Sequence, residues 1–210
     1  MSKHAIGRAA IVGAASLSLL VLSAAGCGSS LSYTIDKKQL REASRRGQLW
    51  VYDAENEIVV ALDRLDEAKD ELHTVRLRIK KAERTIRRAE KGGKGSAVRV
   101  AEAWLVHLES LEDWAKLNVR LHRFGLRVAR AAVELAKAQV IQREDLLGGK
   151  NFNVKDFKVQ YDELKKRFDR ARKRVRKMRR DARKKEQRWW TLRRRYVAQT
   201  GDYNTGLWID

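Results

Sequence analysis

The stretch that decides the fold is residues 51–91, VYDAENEIVVALDRLDEAKDELHTVRLRIKKAERTIRRAEK. From Val51 an apolar or small residue returns at alternating steps of three and four: Ala54, Ile58, Ala61, Leu65, Ala68, Leu72, Val75, Ile79, Ala82, Ile86, Ala89. A 3.5-residue apolar repeat held for this length specifies a helix that buries one narrow seam against a neighbour. The alanines along it let that neighbour come close. Counting upstream, the same steps take in Gly47, Ser44 and Leu40, so the first helix is expected over 36–91. Lys91-Gly92-Gly93-Lys94-Gly95 supplies glycines to end it, and Ser96 is a candidate cap for the next helix.

Two further helices follow from the same pattern. Over 97–147, Ala101, Trp104, Leu108, Leu111 and Ala115 form one seam. Trp114, Leu117, Leu121, Phe124, Val128, Ala131, Leu135 and Ala138 form a second, displaced around the helix. Two seams make a broad apolar face, as a helix packed against two neighbours needs. Over 154–200 the seam runs through Phe157, Leu164, Val175, Ala182, Trp189 and Tyr196, broken only at Lys185, with Asn153 as cap. The chain of 210 residues has no proline, so nothing interrupts long helices. Short glycine connections favour antiparallel neighbours. The expected fold is all-α, an elongated antiparallel three-helix coiled-coil bundle over 36–200, with a tail over 201–210.

The first 27 residues read differently. Lys3 and Arg8 open a positive start, an apolar run follows, and Ser23-Ala24-Ala25-Gly26 leads to Cys27, the one cysteine of the chain. That is the layout of a secretory signal. Its apolar run is shorter than the roughly 20 residues of a spanning helix. Ala24-Ala25-Gly26-Cys27 resembles the lipobox of bacterial lipoproteins, with Ala24 in place of the commonest Leu. The resemblance implies a signal peptide over 1–26, diacylglycerol on Cys27, cleavage before it and acylation of the new amino terminus. Residues 27–35 are then the lipidated cysteine and a short tether. Gly28 after the cysteine, by analogy with enterobacterial sorting, implies the outer membrane, facing the periplasm. With its thiol carrying diacylglycerol, Cys27 is unavailable for redox or thiol catalysis.

Charge is uneven. The formal net charge is +20, and most of it lies on the third helix, where 154–200 carries 20 basic and 6 acidic residues. On the first helix, 53–71 holds eight acids against two basic residues, whereas 76–91 holds eight basic residues against two acids. Counting equally from the helix starts sets the acidic window beside residues 171–189, so the two are expected to answer one another and to help choose which helices adjoin. The unanswered charge falls at one end. There Arg84, Arg87, Arg88, Lys91 and Lys94 are expected to meet Arg193, Arg194, Arg195 and Trp190 in a basic, aromatic-rich tip.

No catalytic constellation emerges. His73, His107 and His122 share no metal-ligand spacing with Cys or acidic residues and read as solvated histidines on charged helices. Asp66/Asp70 and Glu67/Glu71 at four-residue spacing read as surface salt-bridge partners. The glycine-rich turns follow helices and lack phosphate-loop spacing. No enzyme activity, metal or cofactor is expected. Basic helices can neutralise nucleic-acid phosphates, but an exported lipoprotein seldom meets them, so no nucleic-acid partner is expected. The leading expectation is a membrane-anchored structural or adaptor rod whose tip holds a cell-wall component, anionic lipid or protein. The alternative is a periplasmic holdase-type chaperone. A third, a hairpin adaptor of an efflux or secretion conduit, lacks flanking β-domains. The outward Leu62 and Leu77 extend the expectation to homo-oligomers.

Overall fold

The computed structural model describes residues 31–93, 95–147 and 153–203. Three long helices account for nearly all of them: α1 Arg45–Lys91, α2 Gly95–Glu144 and α3 Val154–Thr200. At 1.5 Å per residue they are about 70, 75 and 70 Å long. Among the described residues there is no strand, and no helix is long and apolar enough to cross a membrane. The protein is an all-α three-helix bundle.

The two-seam helix sits in the middle. α2 buries 19 residues, against seven in α1 and six in α3. α1 and α3 each pack along α2 and barely approach one another. Neighbouring helices run antiparallel: Val51 clusters with Ala138 and Ile141 at one end, Ala82 with Ala97 and Ala101 at the other. α1 and α3 are therefore parallel walls over an α2 floor. Between them lies a groove of about 320 Å³ lined by Ala61, Arg64, His122, Gly125 and Phe168 among others. Gly125 belongs there because a Cβ would stand 3.3 Å from the Phe168 ring.

The seam residues of α1 from Val51 to Ala89 and those of α3 face inward, buried or half-buried, except Lys185. That lysine remains exposed and reaches across to donate to Ser110 Oγ on α2. It breaks the apolar seam while keeping the inter-helix contact.

The start of α1 departs from the heptad count. The helix begins at Arg45, nine residues beyond the expected 36. Ser44, counted as seam, is its N-cap, its Oγ accepting from Gly47 N–H at 3.1 Å. A capping side chain bonds to backbone and cannot also pack as a seam residue. Before it, Lys37–Leu40 form a separate 3-10 turn capped by Asp36. At the other connection α2 begins at Gly95, so Ser96 lies inside its first turn, not at the cap.

The late start shifts the register between α1 and α3. Val51 shares a cluster with Phe157, Leu72 with Val175, and Ala82 with Trp189. Window 53–71 thus stands beside residues 159–177 and not 171–189. Basic residues dominate there too, nine against three acids, but no ion pair among the described residues joins the window to α3. Asp66 pairs with Lys69 of its own helix at 2.7 Å, and Glu55 with Lys37 at 2.6 Å. Of the paired carboxylates, Glu71 is half-buried, and desolvation holds its carboxyl above the ordinary value against the pull of Arg179.

Candidate functional site at the two bundle ends

The ends are built on different chemistry. At the end where α1 stops and α2 starts, Trp104 of α2 packs on Trp189 of α3 with ring centroids 4.1 Å apart. Ala82, Ala97, Ala101, Leu108 and Tyr196 complete that cluster. Trp189 is core, 7% exposed; its neighbour Trp190 is 42% exposed. One turn on, the Arg193 guanidinium lies 4.8 Å from the Trp190 ring centre and 5.4 Å from that of Trp189, within cation–π reach. Gly201, in the left-handed conformation, ends α3 with its N–H donating to Val197 carbonyl at 2.8 Å. Asp202 N–H then donates to Thr200 Oγ1 at 3.2 Å, while Tyr196 hydroxyl reaches Asp202 Oδ2 at 3.4 Å. This turn carries Tyr203 back to the helix. Trp190, Arg193, Arg194, Val197, Ala198 and Tyr203 line a hollow of about 350 Å³.

The hollow gathers three of the expected tip residues, Trp190, Arg193 and Arg194, on one face of α3. Arg195 is exposed outside its lining. Arg84, Arg87, Arg88 and Lys91 are exposed on the last two turns of α1 at the same end of the bundle but do not line it. Lys94 lies outside the described residues. Val197, Ala198 and Tyr203 are the members the seam pattern did not mark. Two arginines over an apolar floor beside a half-exposed indole can bind a phosphate or carboxylate bidentately and stack a ring or chain beneath it.

The expectation of solvated histidines fails at this end. His107 is buried, 3% exposed, under Trp104 with ring centroids 5.1 Å apart. Its Nδ1 is 3.0 Å from the Ala182 carbonyl, which can only accept, so Nδ1 carries the hydrogen. Burial holds its imidazole below the ordinary value, against the opposing effect of that hydrogen bond. Desolvation also lowers His122, in the groove floor, with Arg64 adding to it. Of these three histidines, only His73 is exposed.

At the opposite end the chain clasps itself. Residues 31–35, expected as part of a short tether, are docked on the bundle. Ile35 is buried, its N–H donating to Glu134 Oε2 at 2.6 Å and its carbonyl accepting from Lys137 Nζ at 3.2 Å. Glu134 and Lys137, one turn apart on α2, are themselves joined at 2.7 Å and nearly buried, with side-chain exposures of 11% and 7%. The Gln160 amide of α3 holds Tyr33 in the same manner, accepting from its N–H and donating to its carbonyl, both at 3.1 Å. Tyr33 also packs on Phe157 at 5.7 Å. Two residues apart in the chain, both backbones are gripped by side chains of two helices. Sequence gave one clue: Glu134 and Lys137 sit within the most apolar helix, where buried charges must pair.

Just beyond, Glu144 accepts from both N–H and Oγ of Ser44, each at 2.6 Å, which holds its carboxyl below the ordinary range. α1 and α2 nearly touch at Gly47, where a Cβ would stand 2.6 Å from Glu144 Oε1 and 2.8 Å from Val140 Cγ1.

Cys27 and the signal-like segment lie outside the described residues. Among those described, no group of three His, Cys, Asp or Glu side chains is placed to hold a metal ion. No protein-family model, curated protein or solved structure matches this chain.

Proposed function

We propose that this chain is a non-enzymatic lipoprotein of the bacterial cell envelope, fixed to a membrane through lipidated Cys27. Its helical bundle serves as a structural or adaptor rod whose far end holds an anionic envelope component or an acidic protein surface. The carrying observation is the hollow where Arg193 and Arg194 flank the half-exposed Trp190 and Tyr203. Arginine forks suit phosphate and carboxylate, and tryptophan favours the boundary between apolar and wet surroundings. Lipopolysaccharide phosphates, lipid headgroups and acidic cell-wall peptides share that chemistry.

The clasp supports the same reading. Tyr33 and Ile35, six and eight residues after Cys27 in sequence, are fastened at the end away from the hollow. A rod held at that end presents Arg194 about 60 Å from its base. The outer membrane, facing the periplasm, is the proposed location, on the strength of Gly28 alone.

Photo-cross-linking in living cells from a reactive residue at position 194, with the Cys27→Ser form as control, tests this. The expected result is one dominant product that disappears with the Cys27→Ser change. A smear of many unfolded envelope proteins, unaffected by loss of the anchor, would instead identify a holdase. Labelled palmitate incorporated at Cys27 checks the lipidation independently.

A further inference from the structure

The faces of α1 and α3 opposite their seams are complementary, and the fold keeps them apart. On α1 the outward positions first carry Leu49, Tyr52, Val59 and Val60, at 54%, 59%, 56% and 39% exposure. Asp63, Glu67 and Asp70 follow, all exposed. On α3 the outward positions carry Val159, 56% exposed, and then Lys166, Lys173, Lys177 and Arg180. Scattered exposed apolar residues are ordinary, but a run of them on one helix face ending in an acidic ladder is a surface with a pattern. Asp63 and Asp70, like Lys173 and Lys177, make no ion pair among the described residues.

Height matters as much as sign. Val51 packs level with Phe157 and Leu72 level with Val175. The apolar patch of α1 therefore stands level with Val159, and Asp63, Glu67 and Asp70 stand level with residues 166–177. α1 and α3 also run in the same direction. A second copy with the same polarity and no axial stagger would match apolar to apolar and acid to base along the same stretch. In a parallel two-fold pairing of α1 with α1, each acid would face its own copy.

We propose that copies of this chain associate side by side, the outward face of α1 of one copy against the outward face of α3 of the next. The contact is heterologous, so it generates rows or closed rings and not an isolated two-fold dimer. Each exposed ion pair contributes little and is screened over about 10 Å at 0.1 M salt, so the association is weak and salt-sensitive in solution. Anchoring in one membrane would impose the required polarity and raise the effective concentration.

Sedimentation velocity on the full-length chain in detergent tests this with two variants. One carries Asp63→Lys, Glu67→Lys and Asp70→Lys; the other carries Lys166→Glu, Lys173→Glu and Lys177→Glu. All six sites are exposed, and circular dichroism checks that the helices persist. The wild-type chain is expected to associate at low salt and to dissociate at about 0.5 M. Each variant alone should associate about tenfold more weakly or worse. Mixed together, the two should co-sediment, because one presents two basic faces and the other two acidic ones. A wild-type chain that stays monomeric at low salt, variants that associate like wild type, or folded variants that ignore one another would each overturn the proposal.

Discussion

The two ends of the bundle use the same helices for opposite purposes. At the base, polar side chains turn inward: Glu134, Lys137 and Gln160 spend their hydrogen bonds on the backbone of Ile35 and Tyr33. At the tip the indoles of Trp104 and Trp189 close the core, and arginines are left outside around Trp190. A closed set of hydrogen bonds rigidifies and specifies. At the tip, Arg194 is exposed and Arg193 lies half-buried against the Trp190 ring. The contrast teaches that charge in a basic helical protein is informative only once its inward members are separated from its outward ones.

Truncation should separate the two adjacent tryptophans most sharply. Trp189→Ala removes a buried ring from the tip cluster and is expected to cost about 3–5 kcal/mol in urea unfolding. Trp190→Ala should stay within about 0.5 kcal/mol while weakening capture of an anionic partner. Equal losses from the two would erase the division between core and site.

At the base, Glu134→Ala leaves the Lys137 ammonium nearly buried without its carboxylate and the Ile35 N–H without an acceptor. A loss of about 3 kcal/mol is expected, together with rapid proteolysis within residues 31–43. Replacing both, Glu134→Leu with Lys137→Met, should cost much less, since it removes the stranded charge along with its partner. If single and double variants cost the same, the pair is not what holds the segment.

Gly47→Ala probes how closely α1 must approach α2. In an exposed helix this change stabilises by about 1 kcal/mol. Here the new Cβ meets Val140, which is 1% exposed and has little room to move. A net loss of about 1–2 kcal/mol is expected in thermal melts.

The smallest effect concerns pH. Burial holds His107 below 6.5 in the folded chain, so as pH falls below 6.5 the unfolded chain takes up a proton that the folded chain refuses. Stability attributable to this site is complete above pH 6.5 and is lost as pH falls towards the folded value. Melting temperatures at pH 7.5 and 5.5 should therefore fall further apart in the wild type than in His107→Leu.

How much of this was legible follows from what a heptad pattern records. It reports side chains that pack, so the α1 seam from Val51, the double seam of α2 and the seam of α3 were readable with their antiparallel order. It is blind to side chains that bond to backbone. Ser44 fits the spacing yet caps a helix, and that one misreading moved the start of α1 and the charge register with it. His107 looks polar in a list of residues, but its hydrogen bond to Ala182 lets it sit in the core. The docked Ile35 depends on contacts about a hundred positions away in sequence, which no local pattern encodes. At the tip, Arg193, Arg194 and Trp190 fall together as expected, whereas Arg195 and the arginines of α1 stand outside the hollow. The hollow also needed Tyr203, which returns only because of the turn at Gly201.

The most direct test is hydrogen exchange by mass spectrometry on the full-length chain, read at residues 31–43 and 190–203, with and without lipopolysaccharide as a phosphorylated envelope ligand. The closed base and open tip described above require slow exchange at 31–43 in both conditions. At 190–203, exchange should slow only when the ligand is present. Exchange at 31–43 as fast as in a free tether, or ligand protection that appears at the base and not at the tip, would contradict the account.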